Sequence, residues 1–335
     1  MRSLSLTSPI MAAPMAGGPT TPALLRAVAD AGSLGFVAAG YRTAAQLAED
    51  VAASRPLSGD FGVNLFVPER EPVDLDAVRR YRDLIAAEVA ATGAEVGPVV
   101  EDDDDEWDAK VDLLTRDPVP WVSFTFGLPD VGTVQRLRRA GSRLLLTVTD
   151  VGEARAAAEL DPDGLVVQSA TAGGHRGTFD QRHEPGTEDL PSLVGAVVAA
   201  TGVPVIAAGG VSGAAAVRSA LEAGAEAVAV GTALLLADEA GTRPTHREAL
   251  TDPASTTTTM RAFTGRVARG IRTSFSDRYD STAPPAYPAI HHLTSPMRRR
   301  AAQHGDRDHV HLWAGTGFRQ GRALPAREVL AALIP

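Results

Sequence analysis

The 335-residue sequence contains no cysteine, which excludes disulfides, thiolate zinc sites, iron–sulfur clusters and cysteine nucleophiles. Lysine is almost as scarce. Lys110 is the only one and it follows an acidic run, which argues against a barrel enzyme working through a lysine Schiff base. Basic charge is in deficit, with 32 Lys and Arg against 41 Asp and Glu and a net charge of -9, so nonspecific nucleic-acid binding, which needs basic surface, is not expected. No uninterrupted apolar run approaches the roughly 18 residues of a membrane span; the best runs from Ala227 to Ala237. The N-terminus Met1-Arg2-Ser3-Leu4 carries one basic residue, and the apolar stretch behind it is broken by Pro9 and Pro14. That is poor for a signal peptide, and a cytoplasmic protein is expected.

What is present is a soluble globular composition, 44% hydrophobic and 22% charged, in a chain longer than the about 250 residues of an α/β barrel. Strand-like apolar runs recur at Ile10 to Ala13, Gly35 to Ala39, Phe61 to Phe66, Trp121 to Phe126, Arg143 to Val148, Gly164 to Ser169, Pro204 to Ala208 and Ala227 to Gly231. Helical patterns lie between them, the signature of a parallel sheet built from βα units. The fold class expected is therefore α/β, a TIM (β/α)8 barrel over residues 1–237. A small, mostly helical accessory segment over 238–322 should cover the active-site side, and a C-terminal helix over 323–335 should return to the barrel.

Local punctuation supports this division. Thr21 before Pro22 reads as a helix cap, Asp150 with Glu153 as a capping box, and Ser212 as the cap of a helix running through Ala223. The run Glu101 to Glu106 lacks the spaced glycine of a calcium loop and reads as a solvated helix start. Thr256 to Thr259 reads as a loop or helix cap. The neighbouring histidines His291-His292 and His309 with His311 lie in irregular segments, and no metal site is expected there.

In a barrel of this class chemistry sits at the C-terminal strand ends. Those ends carry Met15 to Gly18, Gly40-Tyr41, Asn64, Thr125 to Gly127, Thr149, Gln168 to His175, Gly209-Gly210 and Gly231-Thr232. The set has no carboxylate pair for glycoside hydrolysis and no metal cluster. One acid–base candidate remains, His175, behind the paired glycines Gly173-Gly174 and ahead of the fixed cation Arg176. A neutral, glycine-rich mouth needs its reactivity from a bound cofactor. Gly209-Gly210 and Val230-Gly231-Thr232 place bare amides where such barrels bind phosphate. The centre is then left for a ring system, which suggests flavin mononucleotide (FMN). Asn64 and Gln168 are amides able to meet a flavin edge or, equally, to tie loops together.

These motifs resemble a known family. Pro9 to Gly18, Phe61-Gly62-Val63-Asn64, Ala172-Gly173-Gly174-His175-Arg176-Gly177, Ala207 to Gly210, Val230-Gly231-Thr232 and Leu312 to Gly317 are similar to the nitronate monooxygenases, formerly 2-nitropropane dioxygenases. The resemblance implies FMN held through Asn64, Gln168, Gly173, Gly174, Gly209, Gly210 and Ala229 to Thr232, with Ala13-Pro14-Met15 against the ring. It implies His175 as the active-site base for neutral nitroalkanes, and as a positioning group for nitronates. It also implies oxidation of an alkyl nitronate, propionate 3-nitronate for example, with O2 to a carbonyl compound plus nitrite or nitrate, a detoxification. Two positions depart from the pattern. Thr125 stands where histidine is expected, and Thr171 where glutamate is usual. Thr125, Arg176, Tyr287 and Arg298 are the substrate-side candidates. The alternative is an NAD(P)H-dependent FMN reductase of the same fold, of the enoyl-acyl carrier protein reductase or quinone reductase type. A small molecule and O2 are the expected partners, with no nucleic acid and no membrane; a homodimer is compatible with the sequence.

Overall fold

A computed structural model describes residues 3–69, 71–184 and 186–335. Eight strands form a closed parallel barrel: β1 (Ile10–Ala12), β2 (Leu34–Ala38), β3 (Phe61–Phe66), β4 (Trp121–Thr125), β5 (Arg143–Val148), β6 (Gly164–Gln168), β8 (Val205–Ala208) and β9 (Ala227–Val230), with β9 pairing back onto β1. The period of two along each strand sorts the core. Met11, Phe36, Leu145 and Ile206 point into the barrel. Their neighbours Ile10, Val37, Leu144, Leu146 and Val205 point outward into the layer shared with the helices.

The helices on that outer layer are α1 (Pro22–Asp30), α2 (Ala44–Ser54), α4 (Trp107–Arg116), α5 (Val131–Ala140), α6 (Val151–Ala158), α7 (Leu190–Thr201) and α8 (Ala214–Glu222), whereas α3 (Leu75–Ala91) buries its apolar face elsewhere. Thr21 caps α1 with Pro22 in its first turn, and the Asp150 carboxylate accepts from Glu153 N. Glu153 itself does not close the box. Its carboxylate accepts from Thr149 and from Phe179 N, tying α6 to the loop after His175. Ser212 does not cap α8. The cap is Gly213, without a side-chain bond, because Ser212 stands against the close-approaching Gly317.

The segment after β9 carries α9 (Pro244–Thr251), α10 (Ser274–Tyr279) and α11 (Ala289–His304), and α12 (Ala326–Ala331) closes the chain with Ala326, Val329 and Leu330 in the barrel's outer core. Sequence periodicity gave no sign of the strands here. The threonine run, read as a loop, forms β10 (Thr257–Met260), as β-branched residues do when a partner is available. It pairs antiparallel with β11 (Ala268–Ile271), which pairs in turn with β7 (Gly174–His175). A second apolar core joins Val78, Tyr81, Ile85 and Val89 of α3 to Phe263, Phe275, Leu293 and Met297, so the excursion after β3 and the accessory segment pack as one body.

The acidic run is the solvated start of α4, mostly exposed with Glu106 as the helix cap, and three of its carboxylates also clamp it to neighbouring elements. Asp103 meets His292 Nε2 at 2.6 Å, Glu106 accepts from Ala44 N at 2.7 Å, and Asp105 accepts from Tyr41 N at 3.0 Å. The fully buried Lys110 places Nζ 2.7 Å from Asp105 and donates to Ala39 O. Burial lifts the Asp105 carboxyl to about 6. Because that pKa is raised in the folded state, the folded protein gains stability as pH falls through about 6 toward the unfolded value. Lys110→Met strands the carboxylate, and urea unfolding near neutral pH is expected to show a loss of about 3–5 kcal/mol. The loss should shrink as the pH is lowered below about 6, where Asp105 takes up its proton. An equal loss at both pH values would contradict the clamp.

Candidate active site

At the C-terminal mouth of the barrel lies a cavity of about 400 Å³. Met11, Phe36, Leu145 and Ala229 make its apolar floor. All of Ala13, Pro14, Met15, Asn64, Thr125, Gln168, Gly173, Gly174, His175, Gly209, Gly210, Ala229, Val230, Gly231, Thr232 and Arg298 line it.

Its barrel side is built from backbone. Gly209 and Gly210 follow β8 with φ of +104° and +70°, left-handed values that cost a residue with a Cβ and that turn successive amides toward one concavity. Gly173 is required by close approach, since a Cβ there would lie 2.5 Å from Gly315 N. Thr232 and Ser212 add hydroxyls to the same wall. A phosphate needs such a wall at strand ends of this kind, and a flat aromatic ring needs an apolar floor beside it. These residues fit FMN.

The two amides are committed differently. Asn64 donates through Nδ2 to Ser123 O, Ser123 Oγ and Thr125 Oγ1. A carbonyl only accepts, so the amide orientation is fixed and Oδ1 is the group left for the cavity. Gln168 ties loops: Nε2 donates to His175 O at 3.0 Å and Oε1 accepts from Gly177 N at 2.8 Å. Both ends of its side chain hold the histidine loop in place. Thr125 faces the cavity with its hydroxyl already engaged by Asn64 and close to Thr147, and Thr171 shares a hydrogen bond with Ser169.

His175 is carried by β7, held from the barrel by Gln168 and from the accessory side by β11. Its Nε2 lies 3.0 Å from Thr264 Oγ1, and its ring is flanked by Phe126, Tyr287 and Trp313. Burial, reinforced by the nearby cations Arg266 and Arg298, lowers its pKa to about 3. The imidazole is neutral at ordinary pH and is a proton acceptor.

Two substrate-side candidates do not reach the cavity wall. Arg176 is fully buried with its guanidinium on Gln168 O, because the β7–β11 pairing alternates side chains and sends its neighbour His175 inward instead. Tyr287 stands behind His175 at 5.6 Å, beside a smaller pocket, with its hydroxyl on Tyr41. Sequence reasoning missed Thr264, Trp313, His291 and His311. They reach the site from 89 or more residues away in the chain through the accessory fold; of the four only Trp313 lies in a motif, Leu312 to Gly317, and nothing in that motif assigns it to the cavity. The paired histidines diverge: His292 goes to Asp103, His309 to Glu88 and Asp306, and His291 and His311 to Arg298. Among the described residues no cluster of His, Asp and Glu is arranged to hold a metal ion, and no helix is long and apolar enough to cross a membrane.

Comparison with known proteins agrees with this geometry. The family model for nitronate monooxygenase matches residues 1–335. A probable nitronate monooxygenase of Staphylococcus aureus (strain MRSA252) is 34% identical over 337 residues, covering 99% of this chain and 94% of that protein. The crystal structure of a nitroalkane oxidase from Streptomyces ansochromogenes is 43% identical with a TM-score of 0.91, covering 98% of this chain and 95% of that one. FabK from Thermotoga maritima, at 23% identity and a TM-score of 0.75 over 98% of this chain and 92% of that one, shares the fold. With the barrel, the glycine-lined cavity and a histidine over its mouth in place, the chain belongs to the nitronate monooxygenase family and is an FMN-dependent oxidoreductase.

Proposed function

We propose that the enzyme oxidises small alkyl nitronates, propionate 3-nitronate among them, with O2 to a carbonyl compound plus nitrite or nitrate, and that it acts in the cytoplasm. The observation that carries the reading is His175, a half-buried, neutral imidazole facing a cavity whose wall, among the described residues, holds no Asp or Glu. A neutral nitroalkane must lose a carbon-bound proton before it can be oxidised. His175 is the acceptor available for that proton, and the surrounding arginines favour the anion that results. A nitronate has already lost the proton, so with it the imidazole orients the anion.

In this reading Gly209, Gly210, Gly231 and Thr232 hold the phosphate of FMN, with Ala13, Pro14, Met15 and Asn64 along the ring system. FMN, when bound, supplies the two-electron acceptor and the reactivity toward O2. The chain's own contributions are the dry floor of Met11, Phe36 and Leu145, the acceptor at Asn64 Oδ1, and the fixed placement of His175 by Gln168 and Thr264.

His175→Asn should keep FMN and lower turnover of a neutral nitroalkane by about 100-fold to 10,000-fold, while a preformed nitronate loses much less. Oxygen uptake with the two forms of one substrate measures this, and equal losses on both would contradict the base role. Because the His175 pKa is lowered, the imidazole remains deprotonated across the acid side. Its contribution to kcat/KM for the nitroalkane should therefore stay level down to about pH 5, and a fall centred near an ordinary histidine pKa would show that the base is another group.

A further inference from the structure

The two ring nitrogens of His175 are in different situations. Nε2 is turned to the accessory segment and lies 3.0 Å from Thr264 Oγ1. Nδ1 makes no hydrogen bond among the described residues and is not sealed in the interior, so it opens on the cavity that the ring lines.

Thr264 has little freedom to move. It is 1% exposed and sits in a turn whose Thr264 N and Gly265 N both donate to Arg261 O, at 3.0 and 2.8 Å. Gly265 closes that turn with φ +85°, against a backbone so near that a Cβ there would lie 2.7 Å from Ala286 C. The Thr264 hydroxyl has one proton and two neighbours to give it to, Nε2 of His175 and Arg266 O at 3.3 Å.

The carbonyl decides between them. Arg266 is buried, its carbonyl oxygen can only accept, and among the described residues no other donor reaches it. A buried carbonyl left without a donor is costly. The threonine proton therefore goes to Arg266 O, Oγ1 presents a lone pair to Nε2, and Nε2 must be the donor. The neutral imidazole then carries its proton on Nε2 and its lone pair on Nδ1. The opposite arrangement would strip Arg266 O of its donor and place an N–H on Nδ1, for which the described residues offer no acceptor.

We propose that Thr264 is a positioning residue that sets the tautomer of His175, so that Nδ1 and not Nε2 is the atom that takes the proton from a nitroalkane carbon. The inference rests on the nitronate reading and deepens it. In the step the carbon–hydrogen bond breaks, its electron pair is delocalised onto the nitro group as a nitronate, and the proton forms a bond to Nδ1. The imidazolium that results keeps Nε2–H on Thr264 and turns Nδ1–H to the anion just made. Gln168 cannot perform this selection, because its amide bonds to His175 O and Gly177 N and leaves the ring nitrogens alone. Which nitrogen of a histidine is bare follows from the hydrogen bond made by the other.

Nuclear magnetic resonance of the FMN-loaded enzyme labelled with 15N-histidine reads the tautomer directly, with His175 assigned by the signals missing from His175→Asn. The expected spectrum has the proton on Nε2 and a bare Nδ1; a bare Nε2 with a protonated Nδ1 would overturn the proposal, whether or not any Thr264 variant folds. Thr264→Val should show both tautomers and lower kcat/KM for nitroethane by about 10-fold to 100-fold, the usual cost of losing an outer partner that orients a histidine. Preformed ethyl nitronate should lose less, and Thr264→Ser, which keeps the hydroxyl, should restore both the spectrum and the rate. An unchanged tautomer in Thr264→Val, or equal losses on nitroethane and its nitronate, would assign Thr264 to structure alone. Wild type that turns over neither compound yet carries the proton on Nε2 would sink the nitronate reading and leave the Thr264–His175 assignment standing. Turnover of both with the proton on Nδ1 would do the reverse.

Discussion

The site depends on a pairing of two short strands. β7 is two residues long and cannot hold its own conformation. It is fixed because Ala268 and Arg269 of β11 pair with His175 and Gly174, because Arg176 N donates to Val267 O, and because Gln168 reaches up from β6 to grip the backbone on both sides of Arg176. The barrel supplies one half of this grip and the accessory segment the other. The second apolar core, in which α3 meets α11 and the Phe263–Phe275 stack, holds the accessory half steady. The base role proposed for His175 requires a position settled before the substrate arrives, and that position is set by main-chain pairing with β11 on one side and by the Gln168 side chain on the other.

Electrostatics follow from the same enclosure. Burial keeps His175, His291 and His311 in their neutral forms, and among the described residues the full charges in the cavity wall belong to arginines. Arg298 has its pKa brought down by burial to about 10 and is still a cation at neutral pH. On the proposed function the cavity separates two tasks that a titrating histidine would confuse: a permanent cation to attract the anion, and a neutral imidazole to accept the proton.

Much of this was legible in the sequence, for identifiable reasons. The barrel was, because eight buried strands of Val, Ile, Leu and Ala separated by capped amphipathic helices leave few other arrangements; Phe61 to Phe66 and Arg143 to Val148 carry the same bounds in the structure. The glycine pairs and His175 were, because strand ends in this architecture face one cavity. Thr264, His291, His311 and Trp313 were not, because they reach the cavity by folding of the accessory segment, where the sequence has no period to follow. Arg176 was misplaced because adjacency in sequence to His175 suggests adjacency in the site, whereas successive residues of an extended segment face opposite ways. The acidic run was legible as a solvated helix start, but its long-range partners were not, because nothing local says that Lys110, Tyr41 and His292 will come to meet it.

On the proposed function the cavity serves nitronate oxidation by O2 and is not a port for nicotinamide. Oxygen consumption by the purified FMN-loaded protein tests it most directly, with propionate 3-nitronate alone in one cell and NADPH alone in another. Rapid uptake with the nitronate and none with NADPH is the predicted result; bleaching of the flavin by NADPH with no response to the nitronate would contradict it.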